Sequence, residues 1–307
     1  MTTTVEWMKG CATALVTPFK AGGAVDLPRM RALVERQIAG GVKVLVPCGT
    51  TGERATLSDE EGRAVVSATV EVARGRARVV AGAGSNNTAH AIEQAKEAKG
   101  LGADGVLIVA PYYNKPTQEG LVAHFKAVAE AVAPLPVMMY NVPGRTSSNI
   151  AAETTLKLAR EVPNIVAIKE ASGNFSQIMA ILHERPAGFR VLSGDDAVTL
   201  PLMALGADGI VSVASNEVPD LMAKLADLAL AGRWDEARAL HYKLLPLMEV
   251  NFIESSPGPV KAAMATLGLL EEQFRLPLVP VKEASRAKVR EVLSALGLPG
   301  ARAHGAA

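Results

Sequence analysis

The stretch "NIVAIKEASG", residues Asn164 to Gly173, contains a short apolar run, Ile165–Ile168, that ends on a lysine, Lys169. A Val- and Ile-rich run without polar alternation is typical of a strand buried on both faces, as in a parallel sheet. Lysine is rarely buried completely unless a partner or a reaction uses its charge. The stretch therefore predicts a parallel sheet, with a lysine of special function at the end of one strand.

Similar runs recur along the first two-thirds of the chain, separated by segments with helical spacing. In "TQEGLVAHFKAVAEAV", residues 117–132, apolar side chains recur at i, i+4 and i+7, as on one face of a helix. The predicted strands are Ala12–Val16, Val44–Pro47, Val79–Ala83, Val106–Ala110, Val137–Tyr140, Ile165–Lys169, Arg190–Ser193 and Ile210–Val213. Eight alternating units predict an α/β fold, a (β/α)8 TIM barrel, whose usual size is about 250 residues.

The remainder of the chain has a different pattern. After Val213 the strand-like runs stop, and the following segments are amphipathic at helical spacing. We therefore predict a catalytic barrel over residues 1–218 and a C-terminal helical extension over residues 219–307. An open doubly wound sheet is the alternative, but no dinucleotide-binding fingerprint accompanies the eight units.

Composition excludes several classes of partner. The 307 residues include 32 basic and 31 acidic side chains, which gives no reason to expect nucleic acid or an anionic membrane. No apolar stretch approaches the roughly 20 residues of a transmembrane helix. The first residues, "MTTTVEWMKG", lack a basic region followed by an apolar one. We expect a cytoplasmic protein with no membrane partner.

Lys169 lies where a barrel enzyme carries its chemistry, at the carboxyl end of a strand. A ketone reacts with a free amine, and an apolar interior favours the uncharged form of a lysine. A lysine desolvated in this way is a recurrent Schiff-base nucleophile. The alternative is a structural ion pair with Glu170 or with a facing carboxylate. Adjacent strand residues point to opposite faces, which disfavours pairing with Glu170.

The second strand leads into "GTTGE", Gly49–Glu53. The next helix is predicted to begin after Ser58, because "SDEE" forms a capping box in which Glu61 reaches back. Gly49 to Leu57 is then a loop at the barrel mouth, with two hydroxyls and several backbone amides. Such a loop suits a small carboxylate, although an ordinary Ser/Thr turn has the same composition.

Two further strand ends carry candidate side chains. The fourth ends in "PYYN", which places Tyr112 and Tyr113 at the rim for packing or for chemistry. The fifth ends in "YNVPGRT", with Tyr140 at the strand end and Arg145 after a Pro-Gly turn. Arginine on a rigid turn suits bidentate recognition of a carboxylate, and capping of a neighbouring loop is the alternative.

A metal site is disfavoured. Asp195 and Asp196 in "SGDD" could bind a metal, but capping of the following helix is the favoured role. The histidines fall in predicted helices or in the tail rather than at strand ends: His90, His124, His183, His241 and His304. This distribution argues against a metal-dependent barrel aldolase. We expect no metal and no organic cofactor.

The motifs "GTTGE", "PYYN", "YNVPGRT", "IKEASG" and "LSGDD" occur in this order. With them the chain resembles the class I, pyruvate-dependent aldolase and lyase family, which includes N-acetylneuraminate lyase and dihydrodipicolinate synthase. The likeness is closer to the second branch and extends from Gly10 to about Gly297. It implies a lyase of the diaminopimelate and lysine biosynthetic pathway that condenses pyruvate with L-aspartate 4-semialdehyde.

The resemblance also implies residue roles. Lys169 would form the Schiff base with pyruvate, and Tyr140 would relay protons in a triad with Thr50 and Tyr113. In the family the tyrosine matching Tyr113 comes from the neighbouring subunit, which implies a homotetramer built as a dimer of dimers. Further positions would bind substrate: Thr51 the pyruvate carboxylate, Arg145 the carboxylate of the aldehyde, and Gly194 and Val211 the pocket wall.

Two departures from the family accompany the resemblance. Members often have Asn-Pro-x-Pro-Val-Lys where this chain has "SSPGPVK", Ser255–Lys261, and we expect that segment to lie far from the chemistry. Some members are inhibited by L-lysine, and part of that regulatory site falls on Asn86, His90 and Tyr112. Sensitive members carry a glutamate where this chain has His90, so we expect weak sensitivity or none.

Two other functions remain open. Another Schiff-base pyruvate aldolase of the family would cleave a sugar acid or 4-hydroxy-2-oxoglutarate, but Arg145 favours a second substrate with its own carboxylate. A catalytically silent barrel that acts as a binding protein would differ only in the reactivity of Lys169.

Overall fold

Eight parallel strands close into a barrel in the computed structural model, which describes residues 5–298. Each strand pairs with the next in sequence, and β8 pairs with β1 to complete the circle. The strands are β1 Gly10–Ala14, β2 Val44–Val46, β3 Arg78–Gly82, β4 Gly105–Val109, β5 Val137–Asn141, β6 Ile165–Glu170, β7 Arg190–Ser193 and β8 Gly209–Ser212. The predicted TIM barrel is confirmed, and no strand boundary moves by more than about two residues.

Helices follow the strands and surround the barrel. They are α1 Leu27–Ala39, α2 Asp59–Ala73, α3 Thr88–Gly100, α4 Gln118–Val132, α5 Pro143–Thr146, α6 Ala152–Glu161, α7 Phe175–Glu184, α8 Thr199–Ala204, α9 Pro219–Leu230, α10 Trp234–Val250, α11 Gly258–Thr266 and α12 Glu283–Ala295. The predicted capping box begins α2: Ser58 Oγ accepts from the N–H of Glu61 at 3.2 Å, and the N–H of Ser58 donates to Glu61 Oε2 at 2.9 Å.

The barrel interior is filled with apolar side chains. Val44, Val80, Leu107, Met138 and Val211, from five different strands, belong to one buried cluster inside the barrel. Packed side chains leave the carboxyl ends of the strands as the place where a ligand can enter, as in other barrels of this kind.

The last helices extend the barrel's core. Helix α9 packs against β1, β8 and α1, as the eighth helix of the outer ring would. Leu244 of α10 and Leu293 of α12 are buried in the same cluster as strand residues such as Leu45. The division of the chain after residue 218 remains a proposal, and the packing of α9 favours counting that helix with the barrel.

In the part of the chain that the structure describes, no helix combines the length and apolar character needed to cross a membrane. The predicted tail histidine, His304, lies outside the described residues.

Candidate active site

A cavity of about 670 Å³ opens at the carboxyl ends of the strands. Leu107 and Val109 of β4 form part of its wall. Of the residues singled out from the sequence, Thr50, His90, Tyr112, Tyr140 and Arg145 also line it. The loops after β2, β4 and β5 thus meet at one opening.

Lys169 is held against the tyrosine ring that lines this cavity. Tyr140 and Lys169 are direct neighbours in the register of β5 and β6. The Nζ atom of Lys169 lies 4.3 Å from the centroid of the Tyr140 ring, and only 5% of Lys169 is exposed. Among residues 5–298, no carboxylate lies within ion-pair distance of Lys169. A desolvated amine beside a phenol can attack a carbonyl and exchange protons with its neighbour.

Glu170 points away from Lys169, as strand alternation predicts. Its carboxylate accepts hydrogen bonds from Asn141 Nδ2 at 3.1 and 3.3 Å, from the N–H of Ser172 at 2.8 Å and from Gln177 Nε2 at 3.2 Å. Burial raises the pKa of Glu170, and these donors act in the opposite direction. The alternative of a structural Lys169–Glu170 pair is therefore wrong.

Gly194 follows β7 and lies directly against Lys169. A Cβ at this position would lie 2.6 Å from the Cβ of Ala171 and 3.0 Å from the Cε of Lys169. Any larger residue would therefore clash with Ala171 and crowd the lysine side chain. Val211 is fully buried in β8, in the same interior cluster as Tyr140.

The loop after β2 carries both threonines. Thr50 is exposed at the cavity, whereas Thr51 is 5% exposed. Glu53, at the end of "GTTGE", adopts a left-handed backbone with φ of 55°, which is uncommon for a residue other than glycine. Arg54–Thr56 then forms a single 3-10 turn before α2.

Tyr113 is not brought together with the other members of the predicted triad. Tyr113 is not among the residues that line the cavity. Its surface is 88% exposed, and its backbone φ is 74°. Its backbone N–H donates to the carbonyl of Thr146 at 3.2 Å, which fixes the backbone at this position while the side chain stays exposed. One chain alone therefore supplies Tyr140 and Thr50 to the cavity.

Arg145 lies at the mouth, in the short helix α5 rather than in the predicted turn. Its Nη2 donates to the carbonyl of Ser256 at 3.4 Å, and none of the carboxylates in residues 5–298 pairs with it. Ser256 and Pro257 also line the cavity. The expectation that "SSPGPVK" lies far from the chemistry is wrong, because the C-terminal helices fold back over the barrel mouth.

The two aspartates of "SGDD" have backbone partners. Asp196 is buried, and its Oδ2 accepts from the N–H groups of Val213 and Ala214 at 2.9 and 3.0 Å. Capping of the next helix is therefore wrong for Asp196, which instead fixes the residues after β8. Within residues 5–298, no three His, Cys, Asp or Glu side chains are grouped to hold a metal ion.

Of the three residues predicted to belong to a regulatory site, His90 and Tyr112 line the cavity. Asn86 Nδ2 donates to the carbonyl of Tyr112 at 3.2 Å. His90 Nε2 lies 3.8 Å from Asp59 Oδ1, and Arg54 Nη2 donates to the same oxygen at 2.6 Å. The bond to Arg54 lowers the pKa of Asp59, which is therefore already paired.

Sequence reasoning missed a buried contact between the helical extension and this loop. Lys261 of α11 forms an ion pair with Glu53 at 2.5 Å. The sequence contains a signal for it, since Lys261 stands in "PVKAAMA", an apolar run interrupted by one lysine, like the run before Lys169.

Comparison with known proteins gives a consistent result. The model of the dihydrodipicolinate synthetase family matches residues 7–296. A 4-hydroxy-tetrahydrodipicolinate synthase of Koribacter versatilis is 54% identical, over 95% of this chain and 97% of that protein. The crystal structure of dihydrodipicolinate synthase from Aquifex aeolicus is 46% identical, with a TM-score of 0.93, over 95% of this chain and 99% of that one.

The enzyme from Acinetobacter baumannii was solved in complex with pyruvate. It is 44% identical, with a TM-score of 0.92, over 95% of this chain and 99% of that one. By the family model and by these full-length similarities, the chain belongs to the dihydrodipicolinate synthetase family.

Proposed function

We propose that the chain is a cytoplasmic 4-hydroxy-tetrahydrodipicolinate synthase of the diaminopimelate and lysine pathway. It condenses pyruvate with L-aspartate 4-semialdehyde through a Schiff base on Lys169. The observation that carries the proposal is the position of Lys169, buried beside the Tyr140 ring at the end of a strand of the barrel. Membership of the family supports the same activity.

The reaction follows from the chemistry of these groups. The Nζ atom of Lys169 attacks the ketone carbon of pyruvate, and loss of water leaves a protonated imine. The imine accepts the electron pair when the methyl group loses a proton, which gives an enamine. The enamine carbon adds to the aldehyde carbon, and the amine of the second substrate then displaces Lys169 and closes the ring.

Each proton in this sequence needs a nearby group that both accepts and returns it. Tyr140 is suited to this role because its ring contacts the lysine amine. Thr50 would connect Tyr140 to Tyr113 of a neighbouring subunit, which fits the exposed rim position of Tyr113. The working form is then a homotetramer, a dimer of dimers.

The remaining residues bind the substrates. Thr51 holds the pyruvate carboxylate, while Gly194 and Val211 form the wall around the lysine. Arg145, which lies at the mouth without a carboxylate partner among the described residues, holds the carboxylate of L-aspartate 4-semialdehyde. A neutral sugar chain would leave this arginine unused, so the geometry favours the synthase over a sugar-acid aldolase.

The test compares two assays on one preparation: consumption of pyruvate with L-aspartate 4-semialdehyde, and release of pyruvate from 4-hydroxy-2-oxoglutarate. We expect the first reaction to be the faster by a wide margin at equal substrate concentration. Faster cleavage of 4-hydroxy-2-oxoglutarate would assign the chain to another branch of the family. Absence of both reactions would leave a sugar-acid aldolase or a catalytically silent barrel, and only the aldolase would trap pyruvate on Lys169 with borohydride.

A further inference from the structure

An ion pair with no exposed side-chain surface connects the C-terminal helices to the loop after β2. Lys261 Nζ lies 2.5 Å from Glu53 Oε1, and both side chains have an exposed fraction of 0%. The same ammonium donates to the carbonyls of Thr17 at 3.2 Å and Gln273 at 2.6 Å. An ammonium has three protons to donate, and these three acceptors use all of them.

Aromatic rings cover the rest of the lysine head group. Its Nζ lies 4.4 Å from the centroid of the Phe19 ring and 4.8 Å from that of Phe274. Burial lowers the pKa of Lys261, and the charge of Glu53 acts in the opposite direction. Because water cannot replace a lost partner here, removal of either charge alone would leave the other buried and unpaired. The distance between the two residues is therefore tightly fixed.

Glu53 ends the segment that carries both active-site threonines. The left-handed backbone at Glu53 turns the chain out of the loop. Just before it, the carbonyl of Gly52 accepts from Thr17 Oγ1 at 2.7 Å. Lys261 therefore contacts the loop directly through the Glu53 carboxylate, and indirectly through Thr17, whose carbonyl accepts from Lys261 and whose hydroxyl donates to the loop.

A second contact from the extension secures the far end of the same loop. Arg275 Nη1 donates to the carbonyl of Thr56 at 2.8 Å, and Arg275 binds both carboxylate oxygens of Glu61, the residue that closes the capping box of α2. The loop between β2 and α2 is thus fixed from the C-terminal helices at both Glu53 and Thr56.

We propose that Lys261 is a positioning residue for the pyruvate subsite: through Glu53 it sets the placement of Thr50 and Thr51 opposite Lys169. With all three protons donated, Lys261 is itself neither nucleophile nor substrate ligand. The C-terminal extension then contributes to catalysis by fixing the geometry of the active site. The roles of the two threonines rest on the proposed function.

The test is the double variant Lys261→Met/Glu53→Gln, in which neither charge is left buried alone. We expect it to fold, as judged by circular dichroism and by chemical unfolding. The rate at which borohydride traps pyruvate on the protein should nevertheless fall about 100-fold, the scale of a misplacement of about 1 Å in an active site. The KM for pyruvate should rise more than that for L-aspartate 4-semialdehyde.

The control is Arg190→Met/Asp208→Asn, which removes a buried pair at the opposite end of the barrel. Asp208 also pairs with Arg185, and Arg190 with Glu6, so this variant breaks more charge contacts than the test variant does. This variant should trap pyruvate at the wild-type rate. If the Lys261→Met/Glu53→Gln protein folds and also traps at the wild-type rate, the pair is only structural and the inference is wrong. A wild-type protein that traps no pyruvate would overturn the proposed function, and this inference with it.

Glu53→Asp provides an independent test should the double variant fail to fold. It keeps both charges and shortens the connection by one methylene, so the loop must shift or the pair must lengthen. We expect trapping to slow by at least about 10-fold with folding retained. A Glu53→Asp protein with wild-type trapping would overturn the inference.

Discussion

Buried charged side chains occur at both ends of the barrel, and Asp208 at one end differs from Lys169 at the other in the partners that it has. At the amino end, the Asp208 carboxylate pairs with Arg190 at 3.0 Å and accepts from the N–H of Val191 at 3.0 Å. At the carboxyl end, Lys169 is as deeply buried but contacts the face of Tyr140, with no carboxylate partner in residues 5–298.

This difference distinguishes charged side chains that stabilise the fold from those that can act on a substrate. Asp104 makes similar contacts in a more exposed position: it pairs with Arg78 at 2.6 Å and accepts from the N–H of Val79 at 2.9 Å, again at the amino end of a strand. Buried charges whose partners are all present hold neighbouring elements together. Lys169 and Arg145 have no carboxylate partner among residues 5–298, and they lie at the end where a cavity opens, so their charges remain available to a substrate.

The largest effect is expected for Lys169→Ala. Loss of a covalent nucleophile reduces turnover on the order of 10⁶-fold. Because the wild-type amine lacks a charged partner among the described residues, its removal should leave the free energy of unfolding unchanged or increased. Steady-state assays and urea unfolding measure the two quantities. A variant that loses activity because its free energy of unfolding has fallen, so that it no longer folds, would show that Lys169 is a structural lysine.

Asp208→Asn should have the opposite outcome. Breaking a buried pair by removal of one charge lowers the free energy of unfolding by about 3–5 kcal/mol, because both Arg190 and Arg185 lose their anionic partner. The KM for pyruvate should not change in the folded protein. Urea unfolding and initial rates at low temperature provide the measurements, and a raised KM for pyruvate would contradict the separation of the two ends.

Arg145→Ala should affect one substrate only. We expect the KM for L-aspartate 4-semialdehyde to rise about 30-fold or more, the scale of one lost charge-assisted pair. Trapping of pyruvate should remain normal. The matched variant Arg145→Lys keeps the charge without the planar fork and should give an intermediate KM. Equal impairment with both substrates would instead indicate a structural arginine.

The smallest effect is expected for L-lysine as an inhibitor. The resemblance implies a glutamate in lysine-sensitive members at the position of His90. Loss of one hydrogen bond to a charged group costs about 1.5–3 kcal/mol, or roughly 10- to 150-fold in affinity. Asp59, the nearest substitute, is already paired with Arg54. Lysine titrated at saturating pyruvate should therefore inhibit only in the millimolar range or not at all. Half-inhibition well below a millimolar would contradict this expectation.

Much of the fold and part of the candidate site were predictable from local sequence patterns. Short Val- and Ile-rich runs located the eight strands because parallel strands are buried on both faces. The capping box at Ser58 and Glu61 was predictable because its partners are three residues apart. Lys169 was identifiable because a lysine at the end of an apolar, buried strand is rare unless its charge or its amine has a function.

Contacts between distant parts of the chain were not predictable in this way. Lys261 and Glu53 are 208 positions apart, so no local spacing relates them. Asp196 precedes a helix, and that position suggested a cap, yet its acceptors face the end of β8 seventeen residues later. Tyr113 lies outside the cavity of its own chain, and the sequence of one chain cannot place the second subunit that the predicted triad requires.

The most direct measurement is reductive trapping on the wild-type protein. Pyruvate and borohydride are added together, and the intact mass and the modified peptide are determined by mass spectrometry. We predict one reduced pyruvyl group per chain, on the peptide that contains Lys169, and none on Lys169→Ala. A wild-type protein without an adduct, under conditions in which a known class I aldolase is labelled, or an adduct on another lysine, would contradict the proposed mechanism.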